Sequence, residues 1–470
     1  MLMPNRKIGL PFDRIDKIFN IDGCRIHFVG VNGVSMYSLA RLAMLSGANV
    51  SGSDRDIGEH ARSLASLGAE IHAGHSAEQI NEGIDMVVYS SAISEDNIEL
   101  IRARELEIPT LTRARFMGSL MMSYGKKIGV SGTHGKSTTT AMLDAIFTKA
   151  GKNQTTLAGE DIPGIDSPLR VGSNDYLIYE ACEYKDAFQM FNPSIAVALN
   201  MEMDHVDYYK DEHQLRNSFA KALSRATDFV LLNEDDENLF KIKTKITSRV
   251  ITFGTNEKCD YRYSISSFGD TSHTFSISKN GRRIGIFRLS VMGAFNVINA
   301  CAAAIVALEC GISVKVIEEA LKQFSGVKRR LELVGMHLGR PVIYDYAHHP
   351  TEIRASINTV RLNYQDEVTV VFKPHTYTRT QHFWRQFRLA LELADYIVIT
   401  DIYPARENPI PGVTSENLVK AIGAKAVYAR DVDVPEIVDL YTHGAIIVMG
   451  AGDLRDVKER LVKSNSEAED

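Results

Sequence analysis

The sequence predicts an α/β protein in three domains, and three observations predict it. The chain is 470 residues long, and domains commonly run about 100–200 residues each. Short apolar strands alternate with helix-period segments along its whole length, which implies largely parallel sheets. A phosphate-binding loop stands mid-chain, so further units must flank it on both sides.

Composition bounds the reading. The chain is 44% hydrophobic and 24% charged, with a net charge of −6. This is the profile of a globular protein with ample core. The negative balance argues against a nucleic-acid or anionic-membrane partner. Cys24, Cys182, Cys259, Cys301 and Cys310 are scattered, with no Cys-x-x-Cys pair. They read as reduced thiols of a cytoplasmic protein, not as a disulfide frame or a zinc site. No apolar run approaches membrane-spanning length, and the first residues lack the apolar stretch of a signal peptide.

The first segment, 1–111, opens with a strand at 25–29 and the turn Gly30-Val31-Asn32-Gly33-Val34-Ser35-Met36. A helix follows to about residue 46, then a strand at 49–53 ending at Asp54. A later strand, 86–89, runs into Ser90-Ser91. The turn resembles the glycine fingerprint of a Rossmann-like unit, with Asp54 near the distance of a ribose-binding acid. Asn32 and Ser35 depart from that fingerprint. A plain strand–turn–helix, a nicotinamide site and a helix end for another diphosphate all remain open.

The second segment, 112–325, carries the loop. A strand at 127–130 leads into Ser131-Gly132-Thr133-His134-Gly135-Lys136-Ser137-Thr138, and a helix is predicted over 139–150. Gly132 and Gly135 let backbone N–H groups turn toward phosphate oxygens. Lys136 adds a mobile cation, and Ser137 or Thr138 offers a hydroxyl to Mg²⁺. The strict P-loop pattern has glycine where Val130 stands. Later strands are predicted at 176–179, 195–199 and 229–232. They end near Glu180, which suits Mg²⁺, and near the acid-rich run Asn200 to His205. Ligands gather at such carboxyl ends. His205 suits a second divalent ion, a phosphate contact or a structural role. Glu183 reads as solvated or structural. A hairpin-like stretch covers 261–289, and helices follow at 296–309 and 313–324.

The third segment, 326–470, repeats the alternation, with strands at 341–344, 368–372, 396–400 and 445–449. Three strand-end loops stand out: Asp345-Tyr346-Ala347-His348-His349-Pro350, His375 to Thr380, and 401–407. Lys328-Arg329-Arg330 reads either as a solvated face or as an arginine able to reach a phosphate from the hinge at Gly326. Arg379 could fork a small carboxylate. The adjacent His348 and His349 lack four-ligand metal spacing. The polar residues 464–470 are expected to fray.

Taken together, these runs resemble the Mur ligases of peptidoglycan synthesis. They are Gly30 to Met36, Gly132 to Thr138, Glu180 to Glu183, Asp204-His205, Asn296 to Asn299, Gly326 to Glu332, Asp345 to Pro350, and Pro374 to Thr380. The resemblance spans nearly the whole chain and is strongest to members that add alanine or a muropeptide. It implies a Rossmann-like N-terminal domain, a central P-loop ATPase-type domain and a Rossmann-like C-terminal domain. It also implies ATP-dependent joining of L-alanine to the lactyl carboxylate of UDP-N-acetylmuramate. The alternatives are attachment of a tripeptide in cell-wall recycling, or a non-ligating ATP-binding regulator descended from the family.

By position, the resemblance implies that Gly30, Asn32, Gly33, Ser35, Met36, Asp54, Ser90 and Ser91 bind the UDP-sugar. ATP falls to Gly132, Thr133, His134, Gly135, Lys136, Ser137, Thr138, Asn296, Arg330 and Asp345. Ser137 and Glu180 would hold one Mg²⁺ and His205 a second. Lys136, His134, Glu180, His205 and Arg330 would serve catalysis, and Tyr346, His375 and Arg379 alanine. Phe295 and Tyr344 stand where the family commonly has His and an acid. The lysine that some relatives carbamylate has no secure match, Lys221 being nearby. The expected protein is a monomer or weak dimer acting on small molecules.

Overall fold

Strand Arg25–Val29 lies at the centre of a five-stranded parallel sheet in the computed structural model, which describes residues 20–463 apart from 166, 269–271, 365–366 and 442. The tail at 464–470 lies outside the described residues. Arg25–Val29 pairs with Asn49–Asp54 on one side and with Met86–Tyr89 on the other. Glu70–Ala73 and Thr110–Thr112 complete the edges. The chain thus winds outward in both directions from Arg25–Val29, and a crevice opens at its carboxyl end. Gly30 stands there at φ 83°. A Cβ at Gly30 would meet Ser90 Cβ at 3.3 Å, so the close approach of the two strand ends needs glycine.

The second sheet has ten strands. Lys126–Ser131 runs parallel between Ile195–Ala198 and Tyr176–Glu180. Ile195–Ala198 is buried at every position, as a parallel strand covered on both faces requires. Beyond Val250–Gly254 the sheet turns into an antiparallel meander of Tyr261–Phe268, His273–Lys279 and Arg282–Leu289. Asn280 and Gly281 both take positive φ in its tight turn. Helix Lys136–Lys149 packs on Phe295–Glu309. The buried Ala300, Ala302, Ala303, Ala304 and Ala307 of Phe295–Glu309 let the backbones approach closely.

The third sheet has six strands, with Arg340–Asp345, Ala445–Met449 and Val368–Phe372 as neighbours. Only its edge strand, Glu332–His337, is antiparallel, pairing with Arg340–Asp345. Among the described residues, no helix is long and apolar enough to cross a membrane. Among the described residues no disulfide joins any of the five cysteines.

Most predicted elements hold to within a few residues. The principal shift is at the phosphate loop, where the helix starts at Lys136, not at 139. Gly135, at φ 85°, turns the chain straight into the helix, so Lys136 to Thr138 form its first turn. Their N–H groups lack intrahelical acceptors and face the loop.

Candidate functional site

The carboxyl ends of the first sheet bring the predicted sugar-nucleotide residues together. Gly30 and Val31 N–H donate to Ser53 O. Asn32 N–H donates to Asp54 Oδ2 at 2.9 Å. Gly33 precedes helix Val34–Leu45, which places Ser35 and Met36 in its first turn. The departure at Asn32 has a structural reason. Helix Glu59–Ser66 follows Gly58, which has no capping side chain. Asn32 Oδ1 instead accepts the Ala61 N–H at 3.2 Å, a cap supplied from another segment. Asp54 therefore anchors the turn through Asn32 in this structure.

Between the second and third sheets lies a cavity of about 310 Å³, lined by His134, Ser137, Thr138, Asn296, Asn299, Phe295, Arg330 and Asp345 among others. The sequence reading named most of these. Asp345 is buried and accepts from the Ser356 hydroxyl and the Ala347 N–H. Burial pushes its carboxyl up to about 6 despite those bonds and the nearby Arg330 charge. Arg330 lies 3.8 Å from Glu352, and its buried Nε has no hydrogen-bond partner among the described residues.

His134 is the hinge of one charged cluster. Its Nδ1 lies 3.0 Å from Glu352 and its Nε2 3.1 Å from Glu202. Against desolvation, the two carboxylates raise its pKa to about 9, so the imidazole is a cation at neutral pH. His349 joins His134 and Glu202 in a group whose ligand-capable atoms lie within 4.8 Å of one another. As an imidazolium His134 carries a proton on each nitrogen, one for each carboxylate, so neither has a lone pair to offer and this favours an ion-pair cluster over a metal centre. Sequence spacing could not reveal the group, because three separate segments supply it.

Lys136 anchors a second cluster. Its Nζ donates to Gly132 O, to Thr133 O and to Glu183 Oε2 at 3.1 Å. Glu183 is 2% exposed and paired with Lys136, so of its two readings the structural one holds and the solvated one does not. His205 Nε2 lies 3.8 Å from Glu183 and 4.0 Å from Asp204. Arg379 Nη2 donates to Asp204 Oδ1 at 2.7 Å, and Nε to the same oxygen at 3.1 Å. The fork expected for a free carboxylate is thus occupied by Asp204 here, while Nη1 meets His375. Tyr346 carries Arg329 and Arg330 over its ring at 4.8 and 5.1 Å. Burial and the Arg379 charge hold His375 down at about 3, and burial holds His348 down at about 4.

Glu180 is half-buried beside this cluster and accepts the Gly159 N–H. Burial raises its proton affinity against the pull of Gly159, Lys136 and the Ser137 hydroxyl. Lys221 is exposed in the last turn of Glu212–Leu223 and does not line the cavity. Glu183, Glu202, Asn299 and Glu352 are site residues that the sequence reading did not assign. Glu352 carried a signal, an acid three residues past His349, but it read as a favourable first-turn charge.

Comparison with known proteins identifies the class. Residues 25–124 match the Mur ligase family catalytic domain, 130–307 the Mur ligase middle domain, and 329–453 the Mur ligase glutamate ligase domain. The chain belongs to the Mur ligase family. Among its relatives is a UDP-N-acetylmuramate–L-alanine ligase of Caldanaerobacter subterraneus subsp. tengcongensis. It is 36% identical, over 94% of this chain and 98% of the relative. A protein of the same name from Acetivibrio thermocellus is 38% identical, over 93% and 95%. The crystal structure of UDP-N-acetylmuramate-alanine ligase from Thermotoga maritima aligns with a TM-score of 0.79 at 28% identity, over 94% of this chain and 99% of that one.

Proposed function

We propose that this chain is an ATP-dependent ligase joining L-alanine to the lactyl carboxylate of UDP-N-acetylmuramate through an acyl phosphate. The observation that carries the reading is a single crevice. There a phosphate-binding helix start, an arginine with an unsatisfied Nε among the described residues and a nucleotide-sized cavity meet the carboxyl end of strand Arg340–Asp345. In this reading 1–111 binds the sugar nucleotide, 112–325 binds ATP and 326–470 binds the amino acid.

A carboxylate is a poor acyl donor to an amine. Transfer of the terminal phosphoryl group of ATP to the lactyl oxygen gives an acyl phosphate and ADP. Attack by the alanine amine then forms the C–N bond, breaks the C–O bond, releases phosphate and sheds a proton. Lys136 and the first-turn N–H groups would hold the transferred phosphate. The orphaned Arg330 Nε has the donor that a terminal phosphate oxygen needs. Asn296 and Phe295 flank the cavity where the base would lie, with Asp345 toward the ribose. His348 and His375, held neutral, can accept a hydrogen bond from the alanine ammonium without adding a repelling charge beside it.

Glu180 and the Ser137 hydroxyl are an oxygen donor pair that suits Mg²⁺. The half-buried Glu180 carboxylate, whose charge is disfavoured where it stands, fits a site completed by a cation. His205 is the candidate for a second ion. Such ions, when bound, offset repulsion between carboxylate and triphosphate. Acyl phosphates hydrolyse, and the pairs Arg379–Asp204, His134–Glu352 and Arg329–Glu160 hold the third unit over the crevice against water. The substrates suit a cytoplasmic enzyme, and we take it to be a monomer or weak dimer.

The test is phosphate release with each component omitted in turn. Turnover is expected only with ATP, Mg²⁺, UDP-N-acetylmuramate and L-alanine together. Release that ignores both co-substrates would reduce the protein to an ATPase, and preference for Ala-Glu-diaminopimelate over alanine would make it a tripeptide ligase. Lys136→Ala is expected to cut turnover by at least about 10²-fold with an unchanged circular-dichroism spectrum.

A further inference from the structure

Arg113 is a cation without an anion. It is the first residue of helix Arg113–Leu120, which follows strand Thr110–Thr112 with no intervening loop. Thr112 caps that helix by accepting the Arg115 N–H, so the backbone carrying Arg113 is held at both ends. The guanidinium is only partly exposed, and burial lowers its proton affinity. Among the described residues no carboxylate pairs with it, and the one ionisable group acting on it is the Cys182 thiol. Cys182 in turn stands within the field of Lys136. Arginines so placed are ordinarily paired, because an unmatched buried charge is costly. An anion supplied from outside would remove that cost.

The sheet order says which anion. Strand ends carrying Gly30, Ser90 and Arg113 stand side by side in the order Arg25–Val29, Met86–Tyr89, Thr110–Thr112. Adjacent strands are about 4.8 Å apart, so Arg113 lies roughly 10 Å along the edge from the diphosphate turn. It lies on the side where the two units meet. There Lys185, at φ 52°, donates across the junction to Ser91 O at 3.1 Å. A sugar nucleotide with its diphosphate on the Gly30 turn would reach toward Arg113 with the far side of its sugar ring, the side nearest Lys136.

Resting on the proposed ligase activity, we infer that Arg113 receives the lactyl carboxylate of the sugar nucleotide and holds it toward the phosphate bound at Lys136. This would be a substrate-orienting contact made at the start of the second unit, beside the first sheet. A carboxylate oxygen aimed by a guanidinium fork is positioned for in-line attack without being neutralised by a proton.

The experiment compares wild type, Arg113→Lys and Arg113→Gln. The KM for UDP-N-acetylmuramate is expected to rise at least about tenfold in Arg113→Gln and less in Arg113→Lys. The KM values for ATP and alanine and the unfolding midpoint should stay within twofold and 2 °C, about the shift of a negligible stability change. Calorimetric binding of UDP-N-acetylglucosamine, which has the diphosphate but no lactyl carboxylate, is expected to be unchanged. Equal loss of both ligands would overturn the assignment in favour of a diphosphate contact. Full wild-type turnover with an unchanged KM in both variants would overturn the role of Arg113 alone. A wild type with no turnover, binding both sugar nucleotides equally, would instead remove the ligase reading on which it rests.

Discussion

Replacing His134 with glutamine tests whether a proton locks the third unit onto the second. The imidazolium lies between Glu202 of the second unit and Glu352 of the third, at 3.1 and 3.0 Å. Arg330 also faces Glu352, and the His349 ring lies 5.0 Å from that of His134. The folded pKa, about 9, stands above the ordinary 6.5. A histidine raised in this way contributes stability that is complete below pH 6.5 and is lost as pH climbs through 9. At about 1.36 kcal/mol for each pH unit, the contribution is about 3 kcal/mol. Glu202 and Glu352 are both lowered by His134, so their share is present above the ordinary carboxylate range and fades only in acid. The pairing is therefore fullest between about pH 5 and 7. Urea unfolding of wild type at pH 6.5 and pH 10 should differ by about 3 kcal/mol more than the same pair of measurements on His134→Gln. Glutamine keeps a donor for one carboxylate but cannot titrate, and the His134 N–H bond to Asn200 is unaffected by the change. Parallel pH dependences in the two proteins would refute the reasoning.

Two other perturbations read different parts of the fold. Arg379→Met leaves Asp204 buried without its partner and should cost about 3–5 kcal/mol, whereas Arg379→Met with Asp204→Leu should recover much of that loss. Small-angle scattering would show the third unit released in the single variant, and a compact single variant with unchanged stability would contradict the assigned clamp. Asn32→Ala removes the cap borrowed by helix Glu59–Ser66 and should cost about 1 kcal/mol, read as a lower unfolding midpoint. An unchanged midpoint would mean that water serves the Ala61 N–H equally well.

The strands most legible in the sequence are those buried on both faces. Ile195–Ala198 and Ala445–Met449 are continuous apolar runs, and Val368–Phe372 is broken only by Thr369. The short edge strands were not legible. Glu70–Ala73, Ser167–Arg170 and Ala426–Tyr428 are three or four residues long with mixed polarity, too short for a period to declare itself. The phosphate loop was legible because its chemistry is local: glycines, lysine and helix start occupy a few consecutive positions. Even there the helix start was misplaced by one turn, since the αL geometry of Gly135 is a backbone choice that composition does not state.

The candidate site divides the same way. Gly132 to Thr138, Glu180 and Asp345 could be named from motif and strand end, because strand ends of a parallel sheet face one crevice whatever the details, whereas Asn296, at a helix start, was named only by family resemblance. The pairings could not. His134 and Glu352 are 218 positions apart and Arg379 and Asp204 175, and only the docking of the third unit makes them neighbours. That docking filled the fork of Arg379, while packing within the second unit made Glu183 the partner of Lys136 and left Arg113 with no carboxylate partner among the described residues. Local order along the chain settles which chemical groups stand at strand ends. Which of them carries a charge, and against what, depends on burial and distance, and those exist only once the three units have packed.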